Sequence, residues 1–323
     1  MPRSLEQAGA VALTLALGLA APSQADAPAT TAFSELHATA VLKLGGIADW
    51  VAVTDDAVWV ASMAPNAVHR IDPRTNTRTA SVALPGAACA GLATGFGALW
   101  VPLCGKTPQL AQLDLATHRL LKILPLGPAA KEGGIATSAD SVWIVTDTKG
   151  SLARVDPVTG AVRQTVALPA GSYNLQHADG RIYATQVAGA RLTAVDATSG
   201  KVLASIPTGP QPRFLAVGGG FVWTLNQGDG TLTRISATTL EVVGTVALKT
   251  PGPGGDIVFH DGRVWTTMPG TPLSVTDAAT DRVLHQWVGP GGDSLNIGHG
   301  ALWITDYGQG TIARIPLAQT GFP

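Results

Sequence analysis

The chain has 323 residues, 46% apolar and 13% charged, with 38 Gly, 22 Pro and a formal net charge of −1. That balance, with no Lys/Arg cluster anywhere, excludes a nucleic-acid surface, which needs a concentrated basic patch. A pI near 6.6 gives no reason for electrostatic docking on anionic membranes.

The chain opens with Arg3, the apolar run AGAVALTLALGLAA (residues 8–21) and PSQADA. A charged start, a hydrophobic stretch of secretory length and small residues at Ser23 and Ala25 read as a signal peptide over residues 1–25. The run is too short to span a membrane comfortably and no other segment is long enough. The expectation is an exported protein, periplasmic or secreted, with no membrane span. Residues 26–37 follow as a loose N-terminal lead, and residues 38–323 form the folded domain.

Within that domain one layout recurs. AVWVASMAPNAVHRID, ALWVPLCGKTPQLAQLD, SVWIVTDTKGSLARVD, RIYATQVAGARLTAVD, FVWTLNQGDGTLTRI, RVWTTMPGTPLSVTD and ALWITDYGQGTIARI each alternate apolar and polar residues, turn, and alternate again. Each is a short two-strand hairpin. Their aromatic anchors, Trp59, Trp100, Trp143, Tyr183, Trp223, Trp265 and Trp303, are spaced by 41, 43, 40, 40, 42 and 38 residues. A period near 40 with several short strands per unit is the signature of propeller blades.

Each full unit reads as four strands. Strand a is a short apolar segment such as RFLAVGGG, and strand b carries the aromatic. Strand c ends near Asp, as in RID, RVD and AVD, and strand d follows a turn such as PVTG or ATSG. The aromatic is expected between neighbouring blades, covering an apolar face that one blade cannot bury alone. The seventh unit stops after TIARIPL and lacks a strand d, while ATAVLKLGG (residues 38–46) supplies a matching strand at the other end. The prediction is an all-β, seven-bladed β-propeller of four-stranded antiparallel blades, its ring closed by an N-terminal strand completing the seventh blade.

The two cysteines, Cys89 and Cys104, flank the expected turn TGFGA at equal distances. They should face each other across the hairpin, and an oxidising compartment favours a disulfide. Their spacing matches no zinc motif and no histidine lies between them.

The units GGGFVWTLNQGDGTLTRISATTLEVVGTVAL and DSVWIVTDTKGSLARVDPVTGAVRQTVALP resemble bacterial propellers of the YVTN/YncE type and the streptogramin lyase (virginiamycin B lyase) superfamily. The resemblance covers nearly the whole mature chain, and its motifs are those of a fold. Streptogramin lyases open a cyclic lactone by elimination, using a metal with late histidine and glutamate groups. This sequence has no Glu after Glu241, and its late histidines, His260, His285 and His299, do not reproduce that set. Lactonase-type propellers use acidic and amide groups around a central Ca²⁺.

In a propeller, the loops from strand d to a and from b to c surround one mouth of the central channel. Ten and nine residues before the aromatics lie Asp49-Trp50, Ala90-Gly91, Gly133-Gly134, Tyr173-Asn174, Arg213-Phe214, Gly255-Asp256 and Asp293-Ser294. Three residues after them lie Ser62, Leu103, Thr146, Gln186, Asn226, Met268 and Asp306. Glu132 lies just outside the first set, and Tyr307 is one residue beyond Asp306. The expected site therefore includes Asp49, Trp50, Glu132, Tyr173, Asn174, Arg213, Asn226, Asp256, Asp293, Asp306 and Tyr307. Asp49, Asp256, Asp293 and Asp306 are the candidate ligands for Ca²⁺ or Mg²⁺, and Arg213 could meet a carboxylate.

Other motifs fail. GKT at 105–107 lacks the P-loop glycine, no G-x-S-x-G elbow occurs, and PGPGGD and GPGGDS are connectors between blades. The reading is a monomeric propeller binding a small molecule, peptide or protein partner at the mouth. The rivals are a divalent-cation-dependent lyase or lactone hydrolase, and a structural or assembly scaffold.

Overall fold

The computed structural model describes residues 27–323, so the proposed signal peptide lies outside the described residues. Each recurring hairpin grows into a sheet of its own, and seven sheets result. The fifth blade shows the pattern: Pro212–Gly218, Phe221–Asn226, Thr231–Ser236 and Val242–Ala247 pair antiparallel as strands a to d. Strand b is buried almost throughout, whereas strand d alternates exposed and covered positions at the outer edge. That is why strand b reads as a nearly continuous apolar run and strand d does not.

The anchors lie between blades as expected. Trp59, Trp100, Trp143, Tyr183, Trp223, Trp265 and Trp303 are each at most 1% exposed. Trp59 shares a core with Leu99 and Val101 of the second blade, Trp223 with Ile257 and Val264 of the sixth, and Trp303 with Val58 and Val60 of the first. An indole of this size covers the apolar face that one sheet leaves open.

Ala40–Lys43 pairs antiparallel with Thr311–Pro316, running from Ala40 opposite Arg314 to Lys43 opposite Thr311. The N-terminal strand thus supplies strand d of the seventh blade, and the ring has no open seam. The segment before it is more ordered than a loose lead. Ala29–Ala32 adds a fifth, parallel strand to the sixth blade beside Val283–Val288, and a 3₁₀ turn, Phe33–Glu35, leads into the ring. Its four residues carry little periodic signal, which is why the sequence did not reveal the pairing.

The Asp that ends strand c in five of the seven blades has a mechanical explanation. Asp156 accepts backbone N–H groups from Val158 and Thr159, both at 2.8 Å, and Asp196 accepts those of Thr198 and Ser199. Asp114 and Asp277 do the same in their turns. These side chains mimic a backbone turn and fix the c–d reversal. The expected disulfide is present, with Cys89 and Cys104 Cα atoms 5.8 Å apart.

Candidate functional site

Regular pairing would leave strand a edge-on to the channel; the second blade splits it into Ala87–Ala88 and Ala93–Gly95, and three other blades bulge it. Register slips between Asp49 and Val51, between Ser172 and Leu175, and between Pro212 and Phe214. The displaced residues are Trp50, Tyr173-Asn174 and Arg213, and such bulges re-aim side chains. At Trp50 the chain takes φ 55°, the left-handed region that a bulky residue adopts only under constraint. Its indole reaches across the axis and meets Phe214 of the fifth blade edge-on, with centroids 6.2 Å apart. Trp50 lines both a cavity of about 650 Å³ at the mouth and a smaller space of about 120 Å³ along the channel below. It divides the two.

The mouth cavity is off-centre, over the first, sixth and seventh blades. Its acidic lining comes from Asp49, Glu132, Asp293 and Asp306, and its aromatic lining from Trp50, Phe214 and Tyr307. Much of the remaining wall is backbone from two connectors, Pro253-Gly254-Gly255 and Pro290-Gly291-Gly292. Gly255 sits at φ 86°, and a Cβ there would lie 1.9 Å from the Thr267 carbonyl oxygen, so only glycine fits. These connectors were read as mere links. The signal that could have marked them is the repeat itself: PGGD occurs at 253–256 and again at 290–293.

Three carboxyls here, those of Asp49, Asp293 and Asp256, are held up by burial. Asp49 is pushed up to about 6, mainly because it is desolvated, although hydrogen bonds from Ser294 and Trp50 oppose the shift. The Ser294 hydroxyl donates to Asp49 Oδ1 at 2.6 Å, and the Trp50 N–H donates to the same oxygen at 2.7 Å. Asp293 rises to about 7 through burial and the nearby charges of Asp49 and Asp256, against a bond from the Gly255 N–H. Asp256 also rises to about 7 by burial. It lies just below the mouth, accepting the Ile257 N–H at 2.8 Å and the Leu295 N–H at 3.2 Å. Near neutral pH these groups share protons among closely spaced sites.

The opposite wall is a bonded chain. Arg213 Nη1 donates to the Tyr173 hydroxyl at 2.7 Å and to Glu132 Oε2 at 3.3 Å, while its Nε donates to Gln227 Oε1 at 3.0 Å. Its guanidinium also lies 4.7 Å from the centre of the Tyr173 ring. Tyr173 in turn donates to the Lys131 carbonyl, and Gln227 to that of Gly254. Arg213 and Tyr173 stand outside the cavity lining and reach it through Glu132. Gln227 is a participant that the sequence reading passed over; it directly follows Asn226 at the hairpin tip.

Besides Tyr173, Arg213 and Asp256, two more expected site residues lie outside the mouth lining. Asn226 is fully buried and spends its amide inside its own hairpin, accepting from Thr224 and donating to Thr231 and Thr233, each at 2.9 Å. The position three residues after the aromatic therefore points into the blade, and Asp306 is the member of that set in the mouth lining. Asn174 lines the lower channel instead of the mouth. Among the described residues, no group of three or more His, Cys, Asp or Glu is arranged to hold a metal ion. The four candidate ligands do not fit a calcium or magnesium cage, and no chemical step is derived through one.

A protein-family model described as outer membrane protein assembly factor BamB matches residues 106–286, more than half of the chain. The chain belongs to this family. Its fold is shared with BamB from Moraxella catarrhalis, at 14% identity and a TM-score of 0.62, over 87% of this chain and 100% of that one. A streptogramin B lyase structure superposes with a TM-score of 0.72 at 16% identity, covering 85% of this chain and 96% of that one. No curated protein matches the sequence. At such identities the two structures establish a common propeller architecture. The disulfide together with membership of the BamB family indicates an extracytoplasmic protein. Among the described residues, no helix is long and apolar enough to cross a membrane.

Proposed function

We propose that this propeller binds a small molecule or a short peptide segment in its mouth cavity, after export to the periplasm or beyond and removal of residues 1–25. The observation that carries the reading is the cavity itself: about 650 Å³, floored by Trp50, with the buried Asp49 carboxyl, three further carboxyls and aromatic rings in its lining. That size falls within the range of small-molecule sites, and convergent polar groups with shifted pKa values accompany such sites. A second reading, a platform for a protein partner, is favoured by the family match to an assembly factor.

Hydrogen exchange on hits from a mixed compound and peptide library tests the proposal. Ligands should protect residues 49–51, 253–256, 290–294 and 306–308, which carry the lining. Protection confined to the outer strands, or a library without a single binder, would leave the partner platform as the better account.

A further inference from the structure

We infer that the mouth cavity takes a small organic cation, its ammonium group seated at Asp49 and Asp293 and its carbon frame against Trp50 and Tyr307. This inference rests on the ligand-binding reading above and names the chemistry of the ligand. Three features of the wall select that chemistry over the others.

The first is the sign of the lining. Four carboxyl side chains reach the cavity and no Lys or Arg does. The nearest guanidinium, that of Arg213, is already engaged by Glu132, Tyr173 and Gln227. An anionic ligand would meet carboxyls and no free cation.

The second is an unfilled acceptor. Asp49 is only 7% exposed, yet both donors that reach its carboxyl end on Oδ1. Among the described residues nothing donates to Oδ2, and the side chain lines the cavity. Oδ2 is thus free to accept from a ligand in the cavity, and an ammonium group has three donors to offer.

The third is the mixture of rings with carboxyls. Trp50, Phe214 and Tyr307 share the lining, and an aromatic face attracts a cation most when both are desolvated. A bare metal ion has no use for such a wall or for a space of this size, and the carboxyls form no cage for one.

The groups that face this wall are Asp49 from the first blade, Glu132 from the third, Tyr173 from the fourth, Arg213 from the fifth, Asp256 from the sixth, and Asp293, Asp306 and Tyr307 from the seventh. A bound cation lowers the proton affinity of its carboxyl neighbours. Affinity should therefore rise with pH through the range about 6–7 in which Asp49 and Asp293 ionise.

The test is calorimetric titration of a fragment set in which every scaffold is present as ammonium, alcohol and carboxylate, with binding located by hydrogen exchange. Ammonium members should bind about tenfold tighter than their alcohol partners at about pH 8, lose most of that advantage at about pH 5, and weaken about tenfold with Asp293→Asn. Alcohols or carboxylates that bind the mouth as tightly as the amines would overturn the cation and leave the ligand-binding reading intact. If no fragment binds there, both fail together.

Discussion

At the outer turns Asp156 accepts two backbone N–H groups and an Arg163 guanidinium, and its carboxyl is pulled down to about 2 by those bonds. At the mouth Asp293 is walled in beside Asp49 and Asp256, and burial pushes it up to about 7. Tryptophan divides in the same way: Trp223 completes an interface between blades, whereas Trp50 stands with strained backbone across the channel. The repeated slots use each residue type where it stabilises the chain. The mouth holds the same types where they cost stability, and such costs collect at binding sites.

The largest effect should separate the two tryptophans. Trp223→Ala empties a fully buried interface and should cost about 3–5 kcal/mol. Trp50 is itself only 6% exposed and shares that core, but its Ala variant opens onto the mouth cavity, where water can fill the space, so its loss in urea unfolding should be smaller. Equal losses would erase the distinction between anchor and plug.

The aspartates give opposite pH slopes. Asp293 has a folded pKa above its unfolded value, so its contribution is complete below about pH 4 and disappears as pH rises through about 7. Asp293→Asn should therefore be more stable than the parent by about 2 kcal/mol at about pH 8, a figure reduced for partial solvation, with the gap closing by about pH 4. A gap that stays constant across that window would mean the carboxyl is not desolvated. Asp156 runs the other way: its stabilisation is present above about pH 4 and fades as pH falls toward 2.

The smallest effect belongs to a single turn. Asp277→Ala removes an acceptor for the Ala279 and Thr280 N–H groups and should cost about 1 kcal/mol, without altering any ligand affinity at the mouth. Altered affinity would show that turns and mouth are coupled.

The scaffold was legible because it is written seven times. The spacing of Trp59 through Trp303, the Asp ending strand c and the spare strand near residue 40 all follow from a unit that must bury one face against its copy. The mouth is written once. Nothing in DWVAV announces the bulge that throws Trp50 across the axis, because one inserted residue changes register without changing composition. Asn226 was misplaced by assuming that equivalent positions face the same way, although Thr224, Thr231 and Thr233 around it offered all its partners. The PGGD segments read from sequence only as connectors carrying Asp256 and Asp293, yet it is their bare backbone that lines much of the cavity.

The closing strand has a consequence in time. Thr39, beside Ala40–Lys43, bonds Arg314 across a separation of 275 residues, so one of the first segments of the domain to leave a ribosome or a translocon must wait for one of the last. Until then the early blades exist as an open arc, with strand edges and indole-sized gaps at both ends. Folding is therefore gated by the arrival of Thr311–Pro316, and a chain cut short before it has no seventh blade for its own beginning to complete.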